Sequence, residues 1–379
     1  MSNIIVLGAG MVGSAMAIDL AEIHQVTLTD KNPAALQAAR LKDDRLKCKV
    51  LDVTDEVMLK KTITDFDIVV CAVPGFLGFK TLKAIIECGT DVVDISFFPE
   101  NALELDALAK QHKVTAIVDC GVAPGMGNFI LGYHDQKLKL TDFECLVGGL
   151  PKVKKWPFNY KAPFSPMDVI EEYTRPVRYV ENGKVVKREA LSDCELVEFG
   201  SVGTLESFNS DGLRSIIHTM PHISNMKEKT LRYPGHVEYI KVLKQTGFFN
   251  ATPIDVNGNA VSPLEFTSQV LFKEWELGAE EEEFTVMRVR LKGENGKGEI
   301  MRIQYDLHDV YDKATKTSSM ARTTGYTATA AANMMLDGLF TNRGVFPPEL
   351  VGKDEKCFDY ILSYLAKRKV KYQFTSSND

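Results

Sequence analysis

Three glycines near the start of the chain, in the run Gly8-Ala9-Gly10-Met11-Val12-Gly13, have the spacing that brings a backbone close to a phosphate. They follow the apolar run Ile4–Leu7 and open a helical stretch, and Asp30 stands at the end of the next apolar run, seventeen residues past Gly13. A glycine triple alone is a weak signal. Preceding strand, following helix and downstream acid together make it a dinucleotide-binding turn. The physics accounts for each residue type. Gly8 permits a tight turn, Gly10 lets the backbone approach a pyrophosphate, and Gly13 lets helix and strand pack closely. Free N–H groups of the turn and first helical residues, among Ala9, Met11 and Val12, would face the phosphates, where the helix dipole favours negative charge.

Asp30 would accept hydrogen bonds from ribose hydroxyls and repel a 2′-phosphate. NAD is therefore expected in preference to NADP, although Lys31 beside it softens the discrimination. Asp52, after the third β-rich run, either meets the adenine end or simply caps its strand. Val73-Pro74-Gly75, after the fourth, falls where the nicotinamide ribose would pass.

The elements that must carry these residues are short. Ile4–Leu7, Val26–Thr29, Cys48–Val53, Ile68–Ala72, Val92–Ile95 and Thr115–Val118 are rich in Val and Ile and nearly continuous in apolar character, as parallel strands covered on both faces should be. Helical stretches alternate with them: Val12–Ile23, Pro33–Arg40, Glu56–Ile63, Gly78–Glu87 and Glu100–His112. The expected class is α/β, a Rossmann-type doubly wound parallel sheet. From about Leu140 the pattern changes to period two. Val177–Val180 and Val185–Arg188 flank Asn182-Gly183, a hairpin signal, and Phe284–Leu291 with Glu299–Leu307 read as a second hairpin. Helical patterns recur near Pro166–Tyr173, Leu213–His218 and Val237–Gln245. This second unit is α+β on a largely antiparallel sheet. The acidic run Glu280–Glu283 reads as a solvated turn, and the last ten residues, polar and serine-rich, as a frayed tail.

The totals agree with two domains. The chain has 379 residues, 45 % of them hydrophobic, and a net charge of −6, which argues against a nucleic-acid binder. Seven scattered cysteines without a CxxC pair favour reduced thiols over a disulfide framework. The apolar start has no basic n-region, and no uncharged run is long enough to span a membrane. A cytoplasmic location is expected.

Asp119-Cys120-Gly121-Val122-Ala123-Pro124-Gly125-Met126 closes the sixth strand. With Val147-Gly148-Gly149-Leu150-Pro151, Thr230-Leu231-Arg232-Tyr233-Pro234-Gly235-His236 and Arg343-Gly344-Val345-Phe346-Pro347-Pro348-Glu349, it resembles the saccharopine dehydrogenase family. Val-Ala-Pro-Gly-Met at 122–126 is similar to the lysine 6-dehydrogenase branch, whereas saccharopine reductases usually carry a Leu-Asp-Pro-Gly-Ile type sequence there. The resemblance covers nearly the whole chain. It implies that Val122 and Pro124 adjoin the cofactor. It also implies that residues 1–128 with about 322–379 form the NAD-binding domain, and 129–321 a substrate-binding and dimerisation domain. The stretch Tyr326–Leu339 is then a helix against the first sheet, and a homodimer is expected.

The activity the resemblance implies is NAD-dependent oxidative deamination of the ε-amine of L-lysine, with a glutamate-forming saccharopine dehydrogenase as the alternative. A non-catalytic NAD-binding sensor is a further alternative. Such an amine must lose a proton from a group of pKa about 10.4 before hydride can leave its carbon. Arg232 is the expected carboxylate clamp, since a guanidinium holds two oxygens in a fixed fork, with Arg214 as the second choice. Tyr233 either contacts substrate or packs. Glu206 or Asp211 would hold the α-ammonium. His218 and His236 are the acid–base candidates because imidazole titrates near operating pH, although each could equally be a packed or capping histidine. Asp94 and Asp119 end strands five and six, at the sheet edge where ligands bind, and Asp119 could instead cap the helix after Pro124. Arg214 and His218, four apart, would share one helical face. No metal site is expected, since Pro221 interrupts the His218/His222 spacing.

Overall fold

The computed structural model describes residues 1–164, 166–278 and 280–378. Seven parallel strands form the first sheet. Their order across it is Gly344–Phe346, Thr115–Ile117, Asp91–Asp94, Ile68–Cys71, Asn3–Leu7, Gln25–Asp30 and Lys47–Val50. Ile4–Leu7 and Ile68–Cys71 are buried throughout, which is why they carry no alternation. Strand order reverses between Asn3–Leu7 and Ile68–Cys71. A crevice opens beyond the carboxyl ends of strands at such a reversal, and here those ends lead into Gly8 and Ala72. The helix Ser319–Leu336 lies against Met11–Leu20. Gly325 allows the approach, since a Cβ there would stand 3.0 Å from Met16.

The second sheet is mixed and largely antiparallel. Its order is Glu195–Glu198, Thr204–Asn209, Asn225–Arg232, Lys139–Pro151, Glu283–Glu294, Ile300–Val310 and Tyr372–Asn378. Asn225–Arg232 and Lys139–Pro151 pair in parallel. The hairpin Val177–Glu181 with Lys184–Arg188 joins through Val180 and Met226. Asn182 (φ 49°) and Gly183 (φ 75°) supply the two left-handed residues of its tight turn. No helix among the described residues is long and apolar enough to cross a membrane.

Three expectations are corrected. The tail is no frayed end: Tyr372–Asn378 pairs antiparallel with Ile300–Val310, Met301 opposite Asn378. An edge strand needs only backbone partners on one side, so its polar, exposed side chains gave no signal. The segment 344–346 therefore joins the first sheet while 372–378 joins the second. Glu283 does not share the solvated turn with Glu280, Glu281 and Glu282, which pair with Lys316, Lys155 and with Lys152 and Lys313. It is buried and its carboxylate accepts from the Ser319 N–H. Arg214 and His218 share no helical face, because the helix is only Ile216–Thr219; Arg214 precedes it buried at φ 45°, and His218 is exposed.

Candidate functional site

A cleft of about 560 Å³ runs from the glycine turn to the second sheet. Gly8, Gly10, Met11, Val12, Gly13, Asp30, Val73 and Pro74 line its first end. Val122 and Pro124 line its middle, and Asp119, Asp211 and Arg232 line its far end. A shallower groove of about 810 Å³ over the second sheet contains none of these residues.

The three glycines are required for different reasons. Gly8 has φ 103°, and a Cβ there would stand 2.5 Å from the Ala72 carbonyl oxygen. A Cβ at Gly13 would stand 1.9 Å from the Gly8 oxygen. Around Gly10 no atom lies within 4 Å of such a Cβ, so its backbone is open to a ligand. The helix Met11–Leu20 starts at Gly10 with no side-chain cap, leaving its first N–H groups uncommitted. These features fit a dinucleotide pyrophosphate. The Ala9 N–H is already taken: it donates to Asp30 Oδ2 at 2.8 Å, while Asp30 Oδ1 accepts from the Asn32 N–H at 2.8 Å. Asp30 thus braces the turn while retaining lone pairs for ribose hydroxyls. Asp30→Ala is expected to weaken NAD by about tenfold or more, the worth of hydrogen bonds to a charged acceptor. NADP should lose less. Calorimetric titration with both nucleotides reads this, and unchanged NAD affinity would remove Asp30 from the site.

Three other residues of the expected cofactor set do not line the cleft. Lys31 is exposed on the surface. Asp52 accepts from the Thr54 N–H (2.9 Å) and Oγ1 (2.7 Å), bonds that hold its carboxyl below the usual range, as a strand-end cap does. Gly75 opens the helix Gly75–Glu87, and its Cβ would strike the Phe97 oxygen at 2.3 Å, a packing requirement.

At the far end Asp119, itself at φ 53°, accepts from Arg214 Nε at 2.8 Å, and Arg214 Nη1 donates to the Phe98 carbonyl. Arg214 therefore braces Asp119 and does not line the cleft. Asp94 lies behind the wall. It accepts from the Ser96 N–H at 2.8 Å and Ser96 Oγ at 3.2 Å, and burial pushes it up to about 7. Ser96, not Asp94, lines the cleft. Asp211 lines it, but its carboxylate is held by Arg178 at 3.0 and 2.8 Å. Arg232 Nη2 donates to Glu172 at 2.9 Å, Nε to the Tyr173 hydroxyl at 3.1 Å, and Nη1 to the Leu231 oxygen at 3.0 Å. Its fork is engaged within the protein.

Neither histidine reaches the cleft. His236 is buried with Nε2 on the Tyr173 hydroxyl and Nδ1 on the Phe158 oxygen, both at 2.9 Å, and burial lowers it to about 3. The turn after Arg232 buries it among Tyr160, Tyr173 and Trp275, the first two of which also hold Arg232. His218 lies in a separate crevice beside Pro99 and Pro347. Tyr233 donates to the Pro151 oxygen at 3.0 Å, and Glu206 accepts from the Gly235 N–H at 3.1 Å; both are outside the cleft.

In their place the structure brings Glu171 and Glu172 from the helix Pro166–Thr174, Arg175 just past its end, and Glu228 from the strand that carries Arg232. Period two could have found Glu228, because residues 228, 230 and 232 share one face of a strand. Nothing local marked the helix residues.

A parallel sheet whose glycine turn fits a pyrophosphate and opens into a cleft rich in acids defines the class of dinucleotide-binding proteins. Residues 4–117 match the saccharopine dehydrogenase NADP binding domain, and residues 118–370 the saccharopine dehydrogenase C-terminal domain. The chain belongs to the saccharopine dehydrogenase family. It is 26 % identical to the saccharopine dehydrogenase [NADP(+), L-glutamate-forming] of Saccharomyces cerevisiae, over 71 % of this chain but only 63 % of that protein. It is 22 % identical to the carboxyaminopropylagmatine dehydrogenase of a Synechocystis strain, over 93 % of this chain and 94 % of that one. The apo saccharopine dehydrogenase (L-Glu forming) structure from Saccharomyces cerevisiae shares the fold, with a TM-score of 0.81 and 21 % identity over the whole of both chains. A homospermidine synthase from Legionella pneumophila, solved with NAD, has a TM-score of 0.67 and 13 % identity over 100 % of this chain and 91 % of that one.

Proposed function

We propose that this protein carries out NAD-dependent oxidative deamination of the ε-amine of L-lysine. The products are 2-aminoadipate 6-semialdehyde, which cyclises to piperideine-6-carboxylate, and ammonia. The carrying observation is the charge of the far end of the cleft. Among the described residues, Asp119, Asp168, Asp211, Glu171, Glu172 and Glu228 line it against Arg175 and Arg232 alone. Arg178 and Arg214 behind the wall offset two of those acids. A cavity with this balance favours a substrate with more ammonium than carboxylate groups. Lysine has that balance and saccharopine, with its several carboxylates, does not.

When bound, NAD would accept a hydride from the amine-bearing carbon. Gly8, Gly10 and Gly13 would seat its pyrophosphate and Asp30 its adenosine ribose. The chain's remaining work is to hold the amino acid, strip a proton from its ammonium and limit water. Arg175, paired with Glu171 and lying 5.0 Å over the Phe97 ring, is less deeply engaged than Arg232 and is the better carboxylate clamp of the two.

A second reading has its own support. The Synechocystis relative, which this chain matches over 94 % of its length, bears a name that denotes a cationic amine carrying a carboxyl-bearing arm. The same acidic wall suits such a substrate. The test is NADH formation, followed at 340 nm, from lysine, saccharopine and carboxyaminopropylagmatine offered separately. Turnover of lysine is expected. Turnover of saccharopine alone would overturn the charge argument, and turnover of carboxyaminopropylagmatine alone would replace lysine by the second reading.

A further inference from the structure

The carboxyl of Glu228 differs from its neighbours. Asp30, Asp119, Asp211, Glu171 and Glu172 are all committed to backbone N–H groups or arginines. Glu228 is 5 % exposed and lines the cleft, yet its carboxyl makes no hydrogen bond or ion pair among the described residues. It lies directly over Gly212, where a Cβ would come within 1.8 Å of Oε1. Position 212 thus has to be small for the carboxyl to sit where it does. A buried polar group normally has a partner, and a glutamate without one, at the wall of a cavity, is arranged for a ligand.

We propose that Glu228 receives the reacting ammonium of the substrate and takes its proton. The proposal rests on the amine-oxidising reading above. In the step, R–CH2–NH3⁺ and the Glu228 carboxylate become R–CH2–NH2 and the carboxylic acid. One N–H bond breaks, one O–H bond forms, and the electron pair stays on nitrogen. It is then free to form the C=N bond as hydride leaves carbon for NAD. Water adds to the resulting iminium, ammonium departs, and the proton on Glu228 returns to solvent when the cleft reopens. The substrate's protonated amine, water and NAD⁺ thus give aldehyde, ammonium, NADH and one proton.

The surroundings favour the transfer. Burial comes first in pushing the carboxyl up, to about 8, and the negative charges of Glu172, Asp211 and Asp119 add to it while Arg214 opposes. Cys145 faces it from the paired strand, and Tyr179 donates its hydroxyl to the Glu228 backbone oxygen. In such a site a neutral acid and neutral amine are favoured over two buried charges.

The experiment is the pH dependence of kcat/KM for the amine that the wild type oxidises, with Glu228→Gln and Glu228→Asp beside it. The wild type should rise and level off above about 8, because kcat/KM reports the free enzyme's base. Glu228→Gln should fall about 100-fold at pH 7.5 and keep rising toward about 10, where the free amine loses its own proton. Glu228→Asp should restore the levelling. NAD affinity, read by calorimetry, should stay unchanged in both and shows that they fold. If Glu228→Gln does not fold, a Glu228→Asp profile with a lowered rate and a displaced levelling point supports the proposal, and one identical to the wild type's in both overturns it. A folded Glu228→Gln with the wild-type plateau overturns this inference while leaving the amine-oxidising reading intact. A wild type that reduces NAD with none of the amines overturns both.

Discussion

Gly13→Ala is expected to lose dinucleotide binding by at least 100-fold in Kd, about 2.7 kcal/mol. The new methyl would stand 1.9 Å from the Gly8 carbonyl oxygen, less than any stable contact, and the obstacle is backbone rather than a movable side chain. Either the helix Met11–Leu20 slides away from the first strand or the turn itself rotates. Both displace the N–H groups that would face the pyrophosphate, and Gly8 cannot follow easily because it is wedged at φ 103° against Ala72. The helix is also packed on Ser319–Leu336 from behind, so the strain falls on the turn. Calorimetry with NAD reads the loss, and circular dichroism checks that the sheet survives. Binding within threefold of the wild type would show that the turn does not hold the cofactor.

Asp119→Ala should lower stability by about 3–5 kcal/mol, the cost of leaving one member of a buried ion pair alone. Both side chains are nearly inaccessible, Arg214 at 6 % and Asp119 at 4 %. Both also hold left-handed backbone, φ 45° and 53°, which non-glycine residues adopt at a cost. The pair joins the carboxyl end of the strand Thr115–Ile117 to the loop after Thr204–Asn209, so its loss loosens the wall of the cleft and activity should fall with stability. Melting temperature and residual turnover read the two effects. The companion Asp119→Ala/Arg214→Met should recover part of the melting temperature without recovering activity, since a neutral pair removes the stranded charge. A single variant as stable as the wild type would mean that the ion pair contributes nothing net.

How much of this was legible depends on how far apart in the chain the cooperating residues lie. Strand, glycine turn, helix and Asp30 fall within the first 30 residues, and each constrains the next through local geometry. Glu56–Ile63 and the Asn182-Gly183 turn were legible for the same reason. The seventh strand, Gly344–Phe346, was not, because three residues in a proline-rich stretch carry no period. The histidines were chosen for the ordinary titration of imidazole, a property of the residue type. Whether an imidazole meets solvent, a cavity or a tyrosine is decided by neighbours distant in the chain, such as Tyr173 for His236.

By itself the sequence determined a glycine turn of dinucleotide-binding spacing, a parallel sheet followed by a largely antiparallel one, and an acid, Asp30, at the end of the neighbouring strand. These follow from short-range sterics and from apolar periodicity, which act within a few residues. Only the tertiary structure decided which side chains face the cleft. The far wall draws on residues 119, 171–175, 211–212 and 228–232, brought together by strand register, and a slip of one residue along Asn225–Arg232 would turn Glu228 away from the cleft. The charge balance on which the proposed amine substrate rests is a sum over those partners, and no segment of the chain contains it alone.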